Sequence, residues 1–591
     1  METVFDFIKK QEVNYIKPIQ LEDGWNWCMK DYLRKCFLYK NFQFLENNDN
    51  RELRPFKNII LAILNIQYRT EGFDVKDIEL YVDDADDYYQ SFLVKKFHNK
   101  WALENEIDTF IDDMVESYAD YGGILSRNTN KSKPEVIDLR SLAFCNQTDI
   151  LAYPFCIKHT FSASQLREWD DKWGKAENGA TISIEELIVL AREKGKDEPK
   201  EIIIYELHGN LPKEWLNDER TETESKKYIQ QIQIVAYYQD SNKQERGVCL
   251  FKNREPKLPF KFLARDKIIG RALGRSGIEE LFEAQKWTNW DEIKITEMLE
   301  AASKMINLTD DPSVVAKHPS GLKDVDNLEL VQVQSGSKGV WQMDTYPRNL
   351  AVFNNALERW ERQAQILGAA SDLMLGETPT SGTPFKLYEA RVTEDKSMHR
   401  YRQGKLAVFM DEIYRDWILP HIAKEIAQDQ NFLIELSADE LQGVAEQVII
   451  NEVNKQIKNQ ILAGQILDPQ EIEANKQRFK ADFLKSGNKR FIKIFKGEIT
   501  KKLSVMTNIV GKQKNLAMLT DKLVNVLRQY IATPQIRQDP EMAKLLNVIL
   551  ESSGLSPIMF GSSAAPPQPA RAGTLEPLKQ LNQANQMAMA Q

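Results

Sequence analysis

SGIEELFEAQKWTNWDEIKITEMLEAASKMI, running from Ser276 to Ile306, reads as one unbroken helix. Past Gly277 it holds neither Gly nor Pro, and Ser276 with Glu279 fits a capping box. A helix of ~30 residues reaches ~45 Å. Its apolar residues, among them Ile278, Leu281, Phe282, Trp287, Ile295, Met298, Leu299, Ala302 and Met305, cover a face broad enough for two packing partners. Between them lie Glu279, Glu280, Glu283, Asp291, Glu292, Glu297 and Glu300, with Lys286, Lys294 and Lys304.

Downstream, Leu328–Val333 and Val340–Met343 read as strands flanking Ser335-Gly336-Ser337-Lys338-Gly339, a hairpin turn. Asn349 to Leu367 reads as a second helix, and Gly376–Thr383 (GETPTSGT) as a loop. Thr383 as N-cap and Pro384 at the first helical position open a third helix of ~35 residues, or ~50 Å. Pro420 is expected to kink or end it. Residues 430 to 555 are again helical and rich in Lys and Arg (Lys476, Arg478, Lys480, Lys485, Lys489, Arg490, Lys493, Lys496), and 560–591 reads as a disordered tail.

Upstream, Trp25–Phe44, Phe56–Tyr68 and Ile107–Tyr118 carry helical spacing, the last ending at Gly122. Ile202–Leu207, Ile232–Tyr238 and Gly247–Phe251 read as strands. Ser162–Trp173 and Ser183–Lys194 read as helices with capping boxes at Ser162/Gln165 and Ser183/Glu186. The whole is an α+β chain, mainly helical.

With 591 residues the chain is too long for one core. A formal charge of −9 argues against tight general DNA binding, which needs Lys and Arg on phosphates. The five cysteines are scattered without C-x-x-C spacing, so a disulfide framework is not expected and a reducing compartment is. Met1–Lys10 lacks the apolar core of a signal peptide, and Ile59–Ile66 is too short to span a bilayer, so no membrane role is expected.

No phosphate-cradling G-x-x-x-x-G-K-[ST] occurs; Gly270–Ser276 (GRALGRS) lacks the lysine and is one residue short. H-E-x-x-H and G-x-S-x-G are missing too, and no two of the six histidines sit at i, i+4. Asp83, Asp84, Asp86 and Asp87 read either as a solvated acidic turn or as metal-binding carboxylates of a nuclease-like site, and Asp112-Asp113 as the polar face of a helix. No metal, cofactor or catalytic set is expected.

The order of strand-rich region, long helix, small insert, second helix, Gly/Thr loop and longer kinked helix resembles the portal proteins of tailed bacteriophages. Arg265–Glu280 (RDKIIGRALGRSGIEE) is similar to the family's entry into its first stem helix, and Gln285, Asn289, Asp291 and Ala301-Ala302 to the helix that follows. Ala369–Arg391 (AASDLMLGETPTSGTPFKLYEAR) resembles the passage through the tunnel loop into the long wing helix, and Asp411–Pro420 (DEIYRDWILP) that helix's end. Ile107–Tyr121 and Val136–Asp149 resemble portal wing. The likeness spans about residues 100 to 425, and its style resembles short-tailed, crAss-like phages.

The resemblance implies a wing (1–270), first stem helix (276–306), clip (307–347), second stem helix (349–367), tunnel loop (368–383), long wing helix (384–429), crown (430–559) and tail (560–591). It implies a non-enzymatic homo-oligomeric ring, usually of about twelve subunits, at the capsid portal vertex of the virion and assembled in host cytoplasm. Implied partners are the major capsid protein, the large terminase subunit, tail adaptors, and double-stranded DNA passing without sequence specificity. Lys286, Lys294, Glu297 and Lys304 are the channel-lining candidates of the stem. Glu377, Thr378, Thr380, Ser381 and Thr383 would form the tunnel loop; Leu330, Val331, Val333 and Trp341 would meet a neighbour or adaptor, or pack within the subunit. Alternatives from other classes are a DNA-processing phage enzyme using the acidic clusters, and another ring-forming head–tail adaptor.

Overall fold

The computed structural model describes residues 3–45, 54–82, 97–129, 133–192, 201–216, 228–239, 244–305, 307–309, 330–332, 340–342, 349–370 and 397–428, with 503–507 and a few single residues. The chain forms two compact units, one of residues 1–425 with 500–513, the other of 426–499 with 514–591. The second lies almost wholly outside the described residues.

The first unit is an α+β fold around two antiparallel sheets. Strands β6 (Leu142–Phe144), β7 (Phe155–Phe161), β8 (Ile202–Pro212), β9 (Tyr228–Gln239) and β10 (Glu245–Arg254) form the larger, in the order β10-β9-β8-β7-β6. Strands β4 (Gly123–Asn128), β5 (Pro134–Ile137) and β11 (Phe260–Ala264) form the smaller, ordered β11-β4-β5.

The larger sheet is covered on both faces, which is why its strands read as unbroken apolar runs rather than alternating ones. Ile202, Ile204, Ile234 and Ala236 pack under helices α5 (Ala163–Arg167) and α6 (Ile184–Ala191). Tyr205, Leu207 and Val235, one residue out of phase, join the main core with α1 (Val4–Tyr15). The Ser162/Gln165 and Ser183/Glu186 capping boxes both form, although the two helices are shorter than their sequence spacing predicts.

Several helical expectations are trimmed. Trp25–Trp27 is strand β2, paired with β1 (Ile19–Glu22), and helix α2 starts only at Met29 and ends at Lys40. Asp23-Gly24 makes the two-residue hairpin loop, Gly24 taking φ 78°. Helix α3 is Ile60–Glu71 rather than starting at Phe56. Helix α4, Ile107–Tyr121, ends at left-handed Gly122 (φ 74°), and its predicted apolar face Ile107, Phe110, Ile111, Met114, Val115 is buried.

Helix α7 is Gly277–Ser303, and α8 is Leu350–Leu367. Between them three short strands pair: β12 (Asn307–Thr309), β13 (Leu330–Gln332) and β14 (Val340–Gln342). The expected hairpin of the last two strands is not formed. The order is β13-β12-β14, with β12 parallel to β13 and antiparallel to β14. A strand from the start of the insert intervenes, a non-local pairing that a turn signal does not report. The expected turn at 335–339 lies outside the described residues.

The long third helix is described from α9, Ser397–Ile413, through a π turn at Tyr414–Ile418 into α10, Leu419–Gln428. Pro420 does not terminate it. The π turn widens the hydrogen-bond ladder just before the proline, which spares the missing N–H. One strand comes from the stretch expected as helical crown: β15 (Leu503–Thr507) pairs antiparallel with β3 (Ile78–Val82).

Candidate functional site

Helix α7 presents two faces. Its inner face buries Ile278, Leu281, Ala284 and Ile295, and between them Gln285, Thr288 and Asn289. Gln285 and Asn289 capture extended backbone just ahead of α3. Gln285 Oε1 accepts from Ile59 N (2.9 Å), its Nε2 donates to Lys57 O (2.6 Å) and to Asn289 Oδ1 (2.9 Å), and Asn289 Oδ1 accepts from Lys57 N (3.1 Å). Backbone groups that a helix start leaves unpaired are thereby satisfied.

The outer face carries tryptophans. Trp287 stacks on Trp360 of α8 (6.1 Å, 10°) and Trp290 meets Phe353 (6.0 Å). The pairs step forward along α7 and backward along α8, so the helices are antiparallel. Lys57 adds a 2.6 Å ion pair to Glu361 of α8. Even so, Trp287 and Trp290 remain 39% and 45% exposed, and Val352, Ile366 and Leu367 of α8 are exposed as well.

The helix pair is anchored by a buried ionic hub. Arg265 Nη2 donates to Glu71 Oε1 (2.7 Å) and Gln67 Oε1 (3.2 Å). Arg402 of α9 donates to Asp266 Oδ2 through Nε (3.0 Å) and Nη2 (2.7 Å), and Nη2 also donates to Glu280 Oε1 of α7 (2.7 Å). His399 contacts Glu71 Oε1 through Nδ1 and the Ala369 carbonyl just past α8 through Nε2, both at 3.1 Å. Lys405 donates to Arg265 O (2.8 Å). Glu71 and Arg265 are fully buried, and His399 and Arg402 nearly so. Burial pushes the Glu71 carboxyl up, but Arg265, the hydrogen bond from His399 and Arg402 outweigh it and hold it below the ordinary range. At Glu280 burial wins, and its carboxyl is raised despite Arg402.

The entry to α7 is built by Arg271. Its Nη1 and Nη2 donate to the two Glu279 oxygens (2.9 and 2.6 Å), Nε to Leu273 O and Nη2 to Gly274 O (both 3.0 Å), with the guanidinium over the Trp27 and Tyr32 rings. Glu279 is thus engaged, and the capping box expected at Ser276 is only half made: Ser276 Oγ accepts from Glu279 N (3.0 Å), with no return bond.

Of the channel-lining candidates, Lys286 is exposed, Lys294 pairs with Glu297 (2.7 Å), and Lys304 lies 3.7 Å from Glu300. Glu279 is held by Arg271 and Glu280 by Arg402, and Asp291 is buried. Leu330, Val331 and Trp341 sit in β13 and β14; Val333, the tunnel-loop set Glu377, Thr378, Thr380, Ser381 and Thr383, and Asp83–Asp87 lie outside the described residues. Asp112 and Asp113 are on the exposed side of α4, and of the basic run only Lys476 and Arg478 are described, both helical. All five cysteines are free.

Sequence reading missed the hub. Its members are far apart in the chain, and the one local signal was charge at buried helical phases, such as Glu71 at the end of an apolar helix face. Among the described residues no helix is long and apolar enough to cross a membrane, and no group of His, Cys, Asp and Glu is placed to hold a metal ion. No protein-family model matches the sequence, and no curated protein matches it.

Proposed function

We propose that the chain is a subunit of a portal-type ring, a non-enzymatic conduit for double-stranded DNA at one capsid vertex that docks a packaging terminase and later a tail adaptor. The observation that carries this reading is the aromatic outer face of the α7/α8 pair. Two antiparallel helices keep Trp287, Trp290, Val352 and Ile366 partly or largely exposed after packing on each other. Large apolar side chains left together on a rigid pair mark a protein contact surface. The hub supports the same reading, since it fixes both helices to the long α9 and would let neighbouring copies meet through a stiff element.

The charges that remain outward fit passage of DNA. Glu283, Lys286 and Glu300 are exposed and Glu292, Lys294, Glu297 and Lys304 half-buried, four carboxylates against three lysines. A weakly acidic wall does not exchange counterions for phosphates, so a duplex slides rather than sticks. Negative-stain microscopy of the purified chain at micromolar concentration tests the proposal. Annular particles with a central hole are expected; a stable monomer would sink it.

A further inference from the structure

We propose that His208 is a buried imidazolium latch, which clamps the crossover between the two sheets at acidic to neutral pH and releases it on alkalinisation. His208 sits on β8 and is 1% exposed. Its ring stacks on Phe155 of β7 (5.6 Å, 23°) and meets the edge of Phe260 of β11 (4.7 Å, 71°). Nδ1 lies 3.2 and 3.1 Å from the two Glu255 oxygens. Nε2 lies 3.1 Å from Glu206 Oε1, an ion-pair approach off the hydrogen-bond axis.

Ionised carboxylate oxygens only accept hydrogen bonds, and a neutral imidazole has one N–H. A neutral His208 would therefore set one unprotonated ring nitrogen beside a carboxylate, between two aromatic walls and with almost no access for water. Protons on both nitrogens remove that conflict.

The surrounding charges make the latch matter. Arg127 of β4 donates to both Glu206 oxygens (2.8 and 2.7 Å) and pairs with Glu135 of β5. His159 of β7 meets Glu206 Oε2 at 2.8 Å. Strand β9 sets the uncharged Ile232 and Ile234 opposite His208 and Glu206. Three carboxylates (Glu135, Glu206, Glu255) thus face Arg127 and His208 as permanent or latch cations, with His159 at the rim. Removing the His208 proton leaves Arg127, among the described residues, as the remaining cation of that inner set.

Glu255 follows β10 on the crossover that leads to β11, so the clamp ties the five-stranded sheet to the three-stranded one. Burial would lower the His208 pKa, but its contacts with Glu206 and Glu255 outweigh this and raise it. Burial would raise that of Glu206; His159, His208 and Arg127 hold it well below the usual range. The sign follows. The His208 contribution is complete below the free-histidine pKa and is lost as pH rises through the elevated one, whereas the Glu206 contribution is lost only in acid.

Imidazole Cε1–H exchange, read by mass spectrometry on the full chain, reports the titration of each histidine. The His208 midpoint is expected above that of the same peptide unfolded; a midpoint at or below the unfolded value overturns the proposal. Glu255→Gln should move the midpoint toward acid, and an unmoved midpoint counts against it. Amide exchange over 252–260 should accelerate above the His208 midpoint beyond the intrinsic tenfold per pH unit. Should His208 lose its proton with no such excess, the clamp is not a latch. If His208→Gln folds, it should abolish the excess; the Glu255 variant provides the test if it does not.

Discussion

Glu71 accepts from Arg265 and lies against His399 and Arg402 with no exposure to solvent. Removing one partner from such a set strands the others as uncompensated charges. Glu71→Gln is therefore expected to cost about 3–5 kcal/mol in urea unfolding. Joint replacement of Glu71 and Arg265 by Leu and Met should cost less than the two single changes summed, because the orphaned charge goes with its partner. The Glu71 carboxyl is held below its ordinary range, so its contribution is present above that range and fades as pH falls through the depressed value. Glu71→Gln should flatten that part of the acid-unfolding curve. At this scale the sequence showed which bonds were available without showing which prevailed. Ser276 and Glu279 have capping-box spacing, but Arg271 offers Glu279 two charge-assisted bonds, and these outweigh one to a backbone amide.

Gly122 shows how an element end is specified. Its left-handed φ closes α4, and its carbonyl accepts from Arg265 N and Gly274 N, both at 3.0 Å. A Cβ there would run into the Gly274 carbonyl. Gly122→Ala is expected to lower the thermal midpoint more than Ser276→Ala, whose lost cap is worth about 1 kcal/mol. Calorimetry on both variants gives the comparison. Elements whose signals are local were legible: the α4 stripe, the Ser162 and Ser183 caps, and the apolar runs of β8 and β9. The β1–β2 hairpin was misread although Asp23-Gly24 announced it, since the tryptophans beside it also fit helical spacing. The β13-β12-β14 order had no local signal, because β12 is a three-residue strand at the end of a helix.

Across the molecule, the outer face of α7/α8 is where assembly and folding separate. Val352→Glu, on the same face and 66% exposed, is expected to leave circular dichroism unchanged and the unfolding free energy within about 0.5 kcal/mol of wild type. If the ring forms through that face, the same change shifts size-exclusion elution from ring to monomer. Truncation after residue 499 removes β15, the partner of β3, and faster amide exchange is expected at Ile78–Val82 than in the full chain. The hub and the β15–β3 pair were the least legible features, each joining residues hundreds of positions apart.

The pairing of β15 with β3 also sets an order of events on the ribosome. Residues 78–82 emerge early, yet the strand that covers their edge is made only at 503–507. Until then a nascent chain carries a row of unpaired amide and carbonyl groups, the kind of template on which strands from other chains add. Stalled or prematurely terminated products are thus expected to cluster through Ile78–Val82, while finished chains are protected by their own late-arriving strand.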